Sequence, residues 1–294
     1  MTGPAGPPGP VPPGPYPPPD AGATACARHP DRPTRLQCTR CGRPACPDCL
    51  REASVGYHCV DCVSEATRSA PRWRTVAGAS RVGKPVMVPI LIAINVAIFA
   101  LTVAAAGSVS DNYDSELFAR TWLVPALVAD GEWWRLLTAG FLHFGLLHLA
   151  FNMFAMWVIG REVETVLGRW RLLAVYLVSL LGGSAAVMLF SGAGTAVAGA
   201  SGAVFGLMGA LAVLLYRLKM PAGQAIGLIV INIVISLVIP GISLTAHLGG
   251  LVVGAATTAA LVYLPNRQRP AVQAAAVAGI AVVVLLAIGA SLAL

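Results

Sequence analysis

Charged residues are scarce in this sequence. Asp, Glu, Lys and Arg make up 11% of its 294 residues, against about a quarter in an average soluble protein. Hydrophobic residues make up 56% of the chain, and the mean hydropathy is +0.74. These values exclude an ordinary soluble globular protein and predict a polytopic membrane protein.

Acidic side chains are absent from the apolar stretches, and cysteines are absent after Cys62. A transporter would be expected to bury carboxylates within its membrane spans, so this class is disfavoured. All seven cysteines lie within the first 62 residues, mostly in pairs of the CxxC type. Because their number is odd, they argue against a disulfide framework and indicate metal ligation in a reducing compartment.

The positive charge of the chain lies in short loops. The formal net charge is +7, but the basic residues stand beside apolar stretches instead of forming one patch, which indicates membrane orientation and not nucleic-acid binding. Cations precede the first stretch and recur in alternate loops, so we expect a cytoplasmic N-terminus and an outside C-terminus. No apolar segment precedes residue 86, so the first span is expected to be an uncleaved signal anchor. Eighteen arginines against two lysines point to a GC-rich bacterial genome, and hence to a bacterial plasma membrane.

Seven apolar stretches follow residue 85. Most of them approach the roughly 20 residues that an α-helix needs to cross about 30 Å of hydrocarbon. The predicted fold class is therefore an all-α polytopic membrane protein. The stretches lie near residues 86–106, 144–160, 171–190, 199–217, 222–240, 244–264 and 271–293.

Three of these stretches carry the candidate site residues, because polar side chains are costly in a bilayer and usually functional. Ser201 lies in the sequence Gly-Ala-Ser-Gly at the start of one stretch, and His247 opens another. His148 and Asn152 are four residues apart and so share one face of a third helix. Counting 1.5 Å per residue from the basic ends of these helices places Ser201, His247 and His148 in the outer half of the bilayer, at one level.

These residue types predict acyl-transfer chemistry. A serine hydroxyl becomes a good nucleophile when a base takes its proton, and histidine is the usual base. Ser201 is therefore the predicted nucleophile and His247 the predicted base. A small residue recurs every fourth position from Ala246 to Gly254, which lets this helix approach another closely, and Phe205 can pack against the imidazole. Taken singly, each feature also fits ordinary helix packing; their joint agreement in spacing, order and depth favours an enzyme.

Across about residues 86–264 the sequence resembles the rhomboid family of intramembrane serine proteases. The matching motifs are Trp134-Arg135, His143-x4-His148-x3-Asn152, Glu164 with Gly168, Gly199-x-Ser201-Gly202-x-x-Phe205 and Ala246-His247-x-x-Gly250-x-x-x-Gly254. The resemblance implies a rhomboid six-helix core, with the stretch after residue 270 as one extra C-terminal transmembrane helix. It also implies structural roles for Trp134-Arg135, His143 and Glu164. The sequence departs from the family at Phe205, where many members have tyrosine.

The resemblance also implies an active site. It implies a dyad of Ser201 and His247 without a third acidic member, packed by Phe205, and no cofactor for catalysis. The backbone N–H of Ser201, with His148 and Asn152, would form the oxyanion site. The expected substrates are transmembrane segments that enter from the lipid bilayer and unwind locally, because a fully hydrogen-bonded helix shields its carbonyls. The alternative is a catalytically silent rhomboid-like binder of membrane clients.

The cysteine-rich segment predicts two structural zinc ions. Its four pairs of nitrogen and sulfur ligands suit two tetrahedral sites, and a segment with so little apolar content needs metal to fold. The spacing resembles a B-box-type zinc finger, in which the first and third pairs hold one ion and the second and fourth pairs the other. His58 is an alternative to Cys59. We expect the module to recruit a cytoplasmic protein partner or to steady the cytoplasmic side. The two implied ligand sets are Cys26, His29, Cys46 and Cys49, and Cys38, Cys41, Cys59 and Cys62.

The predicted domain organisation has five parts. They are a disordered Pro/Gly-rich tail (1–22), a B-box-like zinc-binding module (23–64), a basic linker (65–85), the six-helix protease core (86–264) and an additional transmembrane helix (265–294).

Overall fold

A computed structural model of the chain describes residues 22–69, 75–79, 84–264 and 269–293. The chain divides into two compact units, Met1–Pro71 and Arg72–Leu294. The predicted N-terminal tail lies outside the described residues except for Gly22, as does part of the predicted linker.

The first unit is a small fold built around its cysteines. Two antiparallel strand pairs, each of two or three residues, precede one helix. Its buried cluster consists of six of the seven cysteines together with Ala45 and Leu50, so sulfur takes the place that aliphatic side chains occupy in larger domains. The helix runs past residue 64 into the segment predicted as linker. The elements are β1 (Thr24–Ala25), β2 (Pro33–Thr34), β3 (Leu50–Glu52), β4 (Tyr57–Cys59) and α1 (Val60–Ser69).

The second unit is helical, which confirms the predicted all-α polytopic class. Its helices are α2 (Met87–Ala106), α3 (Glu116–Ala119), α4 (Pro125–Ala129), α5 (Arg135–Thr138), α6 (Gly145–Ala155), α7 (Arg161–Leu167), α8 (Arg169–Phe190), α9 (Ser201–Arg217), α10 (Gly223–Val238), α11 (Leu244–Tyr263) and α12 (Pro270–Ser291).

Four of these helices, α2, α8, α11 and α12, are long and apolar enough to cross a membrane. A fifth candidate is a bent pair, in which Arg135–Phe141 and Gly145–Leu167 meet at 91°. Within it a π-helical turn, Met156–Gly160, joins α6 to α7, so the second predicted stretch continues seven residues beyond its predicted end at 160. The helices α9 and α10 are shorter apolar helices of 17 and 16 residues. The described helices thus account for all seven predicted stretches, and the chain is a multi-pass membrane protein.

The helices α8, α9 and α11 meet at the centre of the unit through glycines. A Cβ atom built at Gly250 would lie 1.9 Å from the carbonyl oxygen of Gly202, and one at Gly249 would lie 2.4 Å from the carbonyl oxygen of Gly182. Real Cβ atoms essentially never approach other atoms this closely. The backbones of these helices are therefore in contact, as small residues permit in membrane proteins.

Glu164 and Arg135, two charged residues with predicted structural roles, are buried and hydrogen-bonded to the backbone. The Glu164 carboxylate accepts hydrogen bonds from the backbone N–H groups of Val86, Met87 and Val88, at 2.7, 2.9 and 2.9 Å. It thus caps the start of α2, whose first amides have no partner within the helix. Arg135 donates to the carbonyls of Ala119 and Trp122 at 2.8 Å and so fixes the loop between α2 and α6.

The C-terminal helix α12 is joined to the core by one polar side chain. Gln273 is buried; its Oε1 accepts from Nε of Arg171 at 2.7 Å, and its Nε2 donates to the carbonyl of Ala77 at 2.8 Å. At the other end of the helix, Val284 and Ile288 pack in a cluster with residues of α4, α5 and α8. The extra helix is therefore an integral part of this unit.

Candidate active site and metal centres

The first residue of α9 is Ser201, and a strained glycine presents it. Gly199 has φ = 141°, a conformation that L side chains rarely adopt. A Cβ at Gly199 would also lie 2.8 Å from Cε1 of His148, so both the backbone and the neighbouring ring require glycine here. The Gly199 N–H donates to the carbonyl of Ala139 at 2.9 Å. This loop therefore holds Ser201 at the N-terminus of α9.

The imidazole of His247 faces Ser201. Its Nε2 lies 2.7 Å from Oγ of Ser201, a hydrogen-bond distance. The ring is 6% exposed and stacks on Phe205, with centroids 4.2 Å apart and an interplanar angle of 14°. The hydroxyl of Ser243 caps α11 by accepting from the N–H of Ala246 at 3.2 Å, so His247 lies in the first turn of its helix. The contacts between glycines of α9 and α11 bring the two side chains this close.

Ser236, which was not among the predicted site residues, lies on the other side of His247. Its Oγ is 2.7 Å from Nδ1 of His247. The same hydroxyl donates to the backbone carbonyl of Asn232 at 2.7 Å. The available signal was a serine and an asparagine, four residues apart, in a mostly apolar helix.

His148 lies beside the Ser201 loop. Its Nδ1 accepts from the backbone N–H of Phe144 at 3.3 Å, and its ring stacks on that of Phe144 with 7° between the planes. Because a neutral imidazole has one N–H, its Nε2 carries the proton and is a donor. A Cβ atom built at Gly199 would lie 3.0 Å from this Nε2. Asn152 is buried one turn later, and its Nδ2 donates to the carbonyl of His148 at 3.0 Å.

A cavity of about 30 Å³ adjoins Ser201. Its walls are small or apolar side chains from α8, α9, α11 and the loops before α6 and α9. They include Leu123, Ala139, Gly140, Leu180, Gly183, Val187, Ala198, Gly202 and Ala246.

In the first unit, the eight predicted metal ligands form two clusters. Within each cluster the ligand atoms all lie within 4.8 Å of one another. Zinc–sulfur bonds of about 2.3 Å in a tetrahedron put sulfurs about 3.8 Å apart, and Sγ of Cys41 and Cys59 are separated by 3.8 Å. The donor sets therefore fit zinc. The clusters are Cys26, His29, Cys46 and Cys49, and Cys38, Cys41, Cys59 and Cys62; Cys59 and not His58 belongs to the second.

The thiols within these clusters ionise unequally. Hydrogen bonding to the backbone of Cys46 is the main cause that lowers the pKa of Cys26 to about 6. Burial raises the pKa of Cys38, but hydrogen bonds from backbone N–H groups, that of Cys59 first, outweigh it and bring the pKa to about 6. Burial and the neighbouring sulfurs raise the pKa of Cys49 to about 11. Adjacent thiolates, of which the first cluster could hold three and the second four, repel one another, and a bound divalent cation would offset that repulsion.

The second unit is thus a polytopic helical membrane protein with a serine and a histidine meeting among its helices. Residues 130–264 match the family model described as the Rhomboid domain. The chain is 37% identical over 193 residues to "Rhomboid protease GluP" of Bacillus subtilis, covering 64% of this chain and 37% of that protein. It is 42% identical over 135 residues to "RHOMBOID-like protein 6, mitochondrial" of Arabidopsis thaliana, covering 44% and 43%. It is 37% identical over 130 residues to "Putative rhomboid protease YdcA" of Bacillus subtilis, covering 42% and 65%.

The chain thus carries a Rhomboid domain at residues 130–264, as the motifs predicted. The matches span less than two thirds of the length of each of these relatives. The family match begins at residue 130, later than the predicted resemblance, and it covers the helices that carry Ser201, His247, His148 and Asn152.

Proposed function

We propose that this chain is an intramembrane serine endopeptidase that cleaves transmembrane segments of membrane proteins. Ser201 is the nucleophile and His247 the general base. The observation that carries the proposal is the 2.7 Å contact between Oγ of Ser201 and Nε2 of His247, because a serine needs a base within hydrogen-bond reach. Relatives named rhomboid proteases support the same reaction class.

The reaction is an acyl transfer in two halves. Oγ of Ser201 attacks a substrate carbonyl while Nε2 of His247 takes the hydroxyl proton. The tetrahedral intermediate collapses, the C–N bond breaks, and the imidazolium gives its proton to the leaving amine. Water, activated by His247, then hydrolyses the acyl-enzyme and restores the free hydroxyl.

The oxyanion site consists of the Ser201 backbone N–H, His148 and Asn152. The first helical hydrogen bond of α9 runs from Val204 to the carbonyl of Ala200, so the Ser201 amide lies in the unpaired first turn. His148 can donate from Nε2, because its Nδ1 accepts from the backbone N–H of Phe144. Asn152 has a second amide proton beyond the one that it gives to His148. Preorganised donors of this kind stabilise the charge that develops on the carbonyl oxygen.

The bilayer and the cavity beside Ser201 support a proposal for the substrate class. A transmembrane helix must unwind before its carbonyl is open to attack, since its backbone groups are otherwise paired. The cavity is lined mostly by small side chains, so it suits a small side chain next to the scissile bond. The substrates proposed are therefore membrane proteins whose spans unwind easily at a small residue.

Labelling with a fluorophosphonate tests the enzyme against the binder alternative. The phosphorus bonds to Oγ of Ser201 and fluoride leaves, a step that needs the activated hydroxyl but no natural substrate. We expect one adduct, mapped by mass spectrometry to the peptide containing Ser201, and its absence in His247→Ala. A native protein that captures membrane clients yet gains no adduct would identify the chain as a binder.

We further propose that the N-terminal module holds two structural Zn²⁺ ions. The ligands are the two clusters given above, and the support is their donor chemistry and spacing. Donors to the sulfurs strengthen the fit: the Cys59 N–H lies 3.1 Å from Sγ of Cys38, as expected for thiolates with supporting hydrogen bonds. When bound, zinc would stabilise the fold of the module. A cytoplasmic protein partner of this module is also part of the proposal.

Metal analysis of paired variants tests the zinc proposal. The purified full-length chain is expected to contain two zinc ions, one for each cluster. Cys59→Ser removes a ligand and should leave one ion or fewer, whereas His58→Ala should keep both. Elemental analysis after gel filtration measures the ratio. Full zinc content in Cys59→Ser together with loss in His58→Ala would make His58 the ligand, and a zinc-free native chain would refute the proposal.

The proposed location is a bacterial plasma membrane, with the N-terminus in the cytoplasm and the C-terminus outside. Arg169 and Arg217 lie at helix ends on the side assigned to the cytoplasm, and Arg161 lies in the last two turns of the helix that ends at Leu167, as the positive-inside rule requires. The exposed rings of Trp133 and Trp134 lie in the loop assigned to the opposite side, where indoles suit the interface. A reducing cytoplasm also agrees with a thiolate-ligated zinc module.

A further inference from the structure

The polar environment of His247 includes more than Ser201. We propose that Ser236 on α10 is a positioning residue, which holds the imidazole of His247 in the tautomer and orientation that the reaction needs. This inference rests on the proposed protease function. It adds to the Ser–His pair a third side chain from a helix that contributes no other residue to the site.

Counting protons gives the direction of each hydrogen bond. A backbone carbonyl accepts and never donates, so the 2.7 Å contact between Oγ of Ser236 and the carbonyl of Asn232 uses the one hydroxyl proton of Ser236. Towards His247, Ser236 can then only accept. The 2.7 Å contact with Nδ1 therefore requires the proton of the neutral imidazole to be on Nδ1.

This tautomer is the one that general-base catalysis requires. With the proton on Nδ1, Nε2 has a free lone pair and lies 2.7 Å from Oγ of Ser201. The opposite tautomer would place an N–H against the serine hydroxyl and could not accept its proton. When His247 becomes an imidazolium, its Nδ1–H keeps the same acceptor, so no group has to reorient during the proton transfer.

Ser236 differs from most residues of α10 because it is buried. Among the described residues of α10, only Ala225 and Ser236 are buried. The neighbouring positions on the helix, such as Ile235 and Leu237, are exposed towards the lipid. The one buried polar side chain of this otherwise lipid-facing helix is thus the one that contacts the base. Phe205 packs against one face of the imidazole ring of His247. The hydrogen bond between Nδ1 and Ser236 fixes the rotation of the ring within its own plane.

The inferred role differs from that of a carboxylate. Ser236 carries no negative charge, so it orients the imidazolium without strongly stabilising its charge. The loss of one hydrogen bond of this kind is expected to change the rate by roughly tenfold. We therefore expect Ser236→Ala to lower kcat for cleavage of a transmembrane peptide in liposomes by about tenfold, with little change in KM. The rate of fluorophosphonate labelling should fall by a similar factor, since labelling uses the same base.

Two further variants make the test specific. Ser236→Thr keeps the hydroxyl and is expected to recover most of the kcat that alanine loses. Asn232→Ala removes a half-buried side chain one turn away but leaves the backbone carbonyl in place, so its kcat should match that of the wild type. Wild-type kcat in Ser236→Ala, or an equal loss in Ser236→Ala and Ser236→Thr, would overturn the inference.

The outcome for Ser236 can be told apart from failure of the proposed function. If the wild-type chain is neither labelled nor active, the protease proposal itself fails. If the wild type is active and labelled at Ser201, and Ser236→Ala matches it, only the positioning role fails. Melting temperatures of the variants in detergent complete the test, and an unchanged value with reduced kcat supports positioning.

Discussion

Replacement of Ser201 with alanine is expected to reduce cleavage of a transmembrane substrate by at least about 10³-fold. The variant retains His247, His148 and the substrate path, but it has no oxygen to form the acyl-enzyme. The residual rate would then come only from water acting with the oxyanion donors. Because Ser201 is a half-buried residue at the helix start, removal of one hydroxyl should leave the fold intact.

A fluorogenic transmembrane peptide reconstituted with the enzyme in liposomes gives kcat/KM for each variant. Ser291→Ala is the matched control: this serine lies on α12, and its Oγ bonds to the carbonyl of Ile288 within the same helix. The control should keep its activity within about twofold of wild type. Cleavage by Ser201→Ala at more than a tenth of the wild-type rate would rule out Ser201 as the nucleophile.

Replacement of Gly250 with alanine is expected to abolish most activity although Gly250 is not one of the proposed catalytic residues. A methyl group at this position would lie 1.9 Å from the carbonyl oxygen of Gly202, so α9 and α11 must move apart. These two helices carry Ser201 and His247. A displacement of about 1 Å between reacting groups can cost about 10²-fold in rate, and overpacking of a tight core costs about 1–3 kcal/mol of stability.

Gly279→Ala on α12 is the matched control for this packing effect, since a Cβ there has no heavy atom within 4 Å. We expect Gly250→Ala to lower both kcat and the melting temperature, and Gly279→Ala to change neither. Thermal unfolding followed by tryptophan fluorescence, with the liposome assay, measures the two quantities. Full activity and an unchanged melting temperature in Gly250→Ala would mean that α9 and α11 do not pack as closely as described.

Much of this architecture could be predicted from the sequence because a membrane imposes simple rules. Apolar runs had to be helices, since no other open structure satisfies its backbone in lipid. The stretches near 86–106 and 171–190 therefore match α2 and α8 closely. The family resemblance predicted that Ser201 and His247 would meet, and the coordinates bring them within 2.7 Å; their catalytic roles remain predictions.

Other features depend on geometry that one-dimensional patterns do not contain. The 91° bend before α6 and the π-helical turn after it have no counterpart in the spacing of apolar residues along the sequence. The contact between Ser236 and His247 could not be predicted, because it depends on the rotation of α10 about its axis. A serine in an apolar helix usually bonds to its own backbone, and only the position of His247 gives this one a second partner.

The hydrogen bonds of Glu164 have a consequence for how this protein is made. The carboxylate caps amides that precede it by 76 to 78 residues. At about 5–20 residues per second, the ribosome adds Glu164 about 4–15 s after it has produced the start of α2. During that interval the first amides of α2 must be solvated at the membrane surface. The first span is thus inserted early but reaches its final pairing only when the second span arrives, so the order of synthesis also sets an order of assembly.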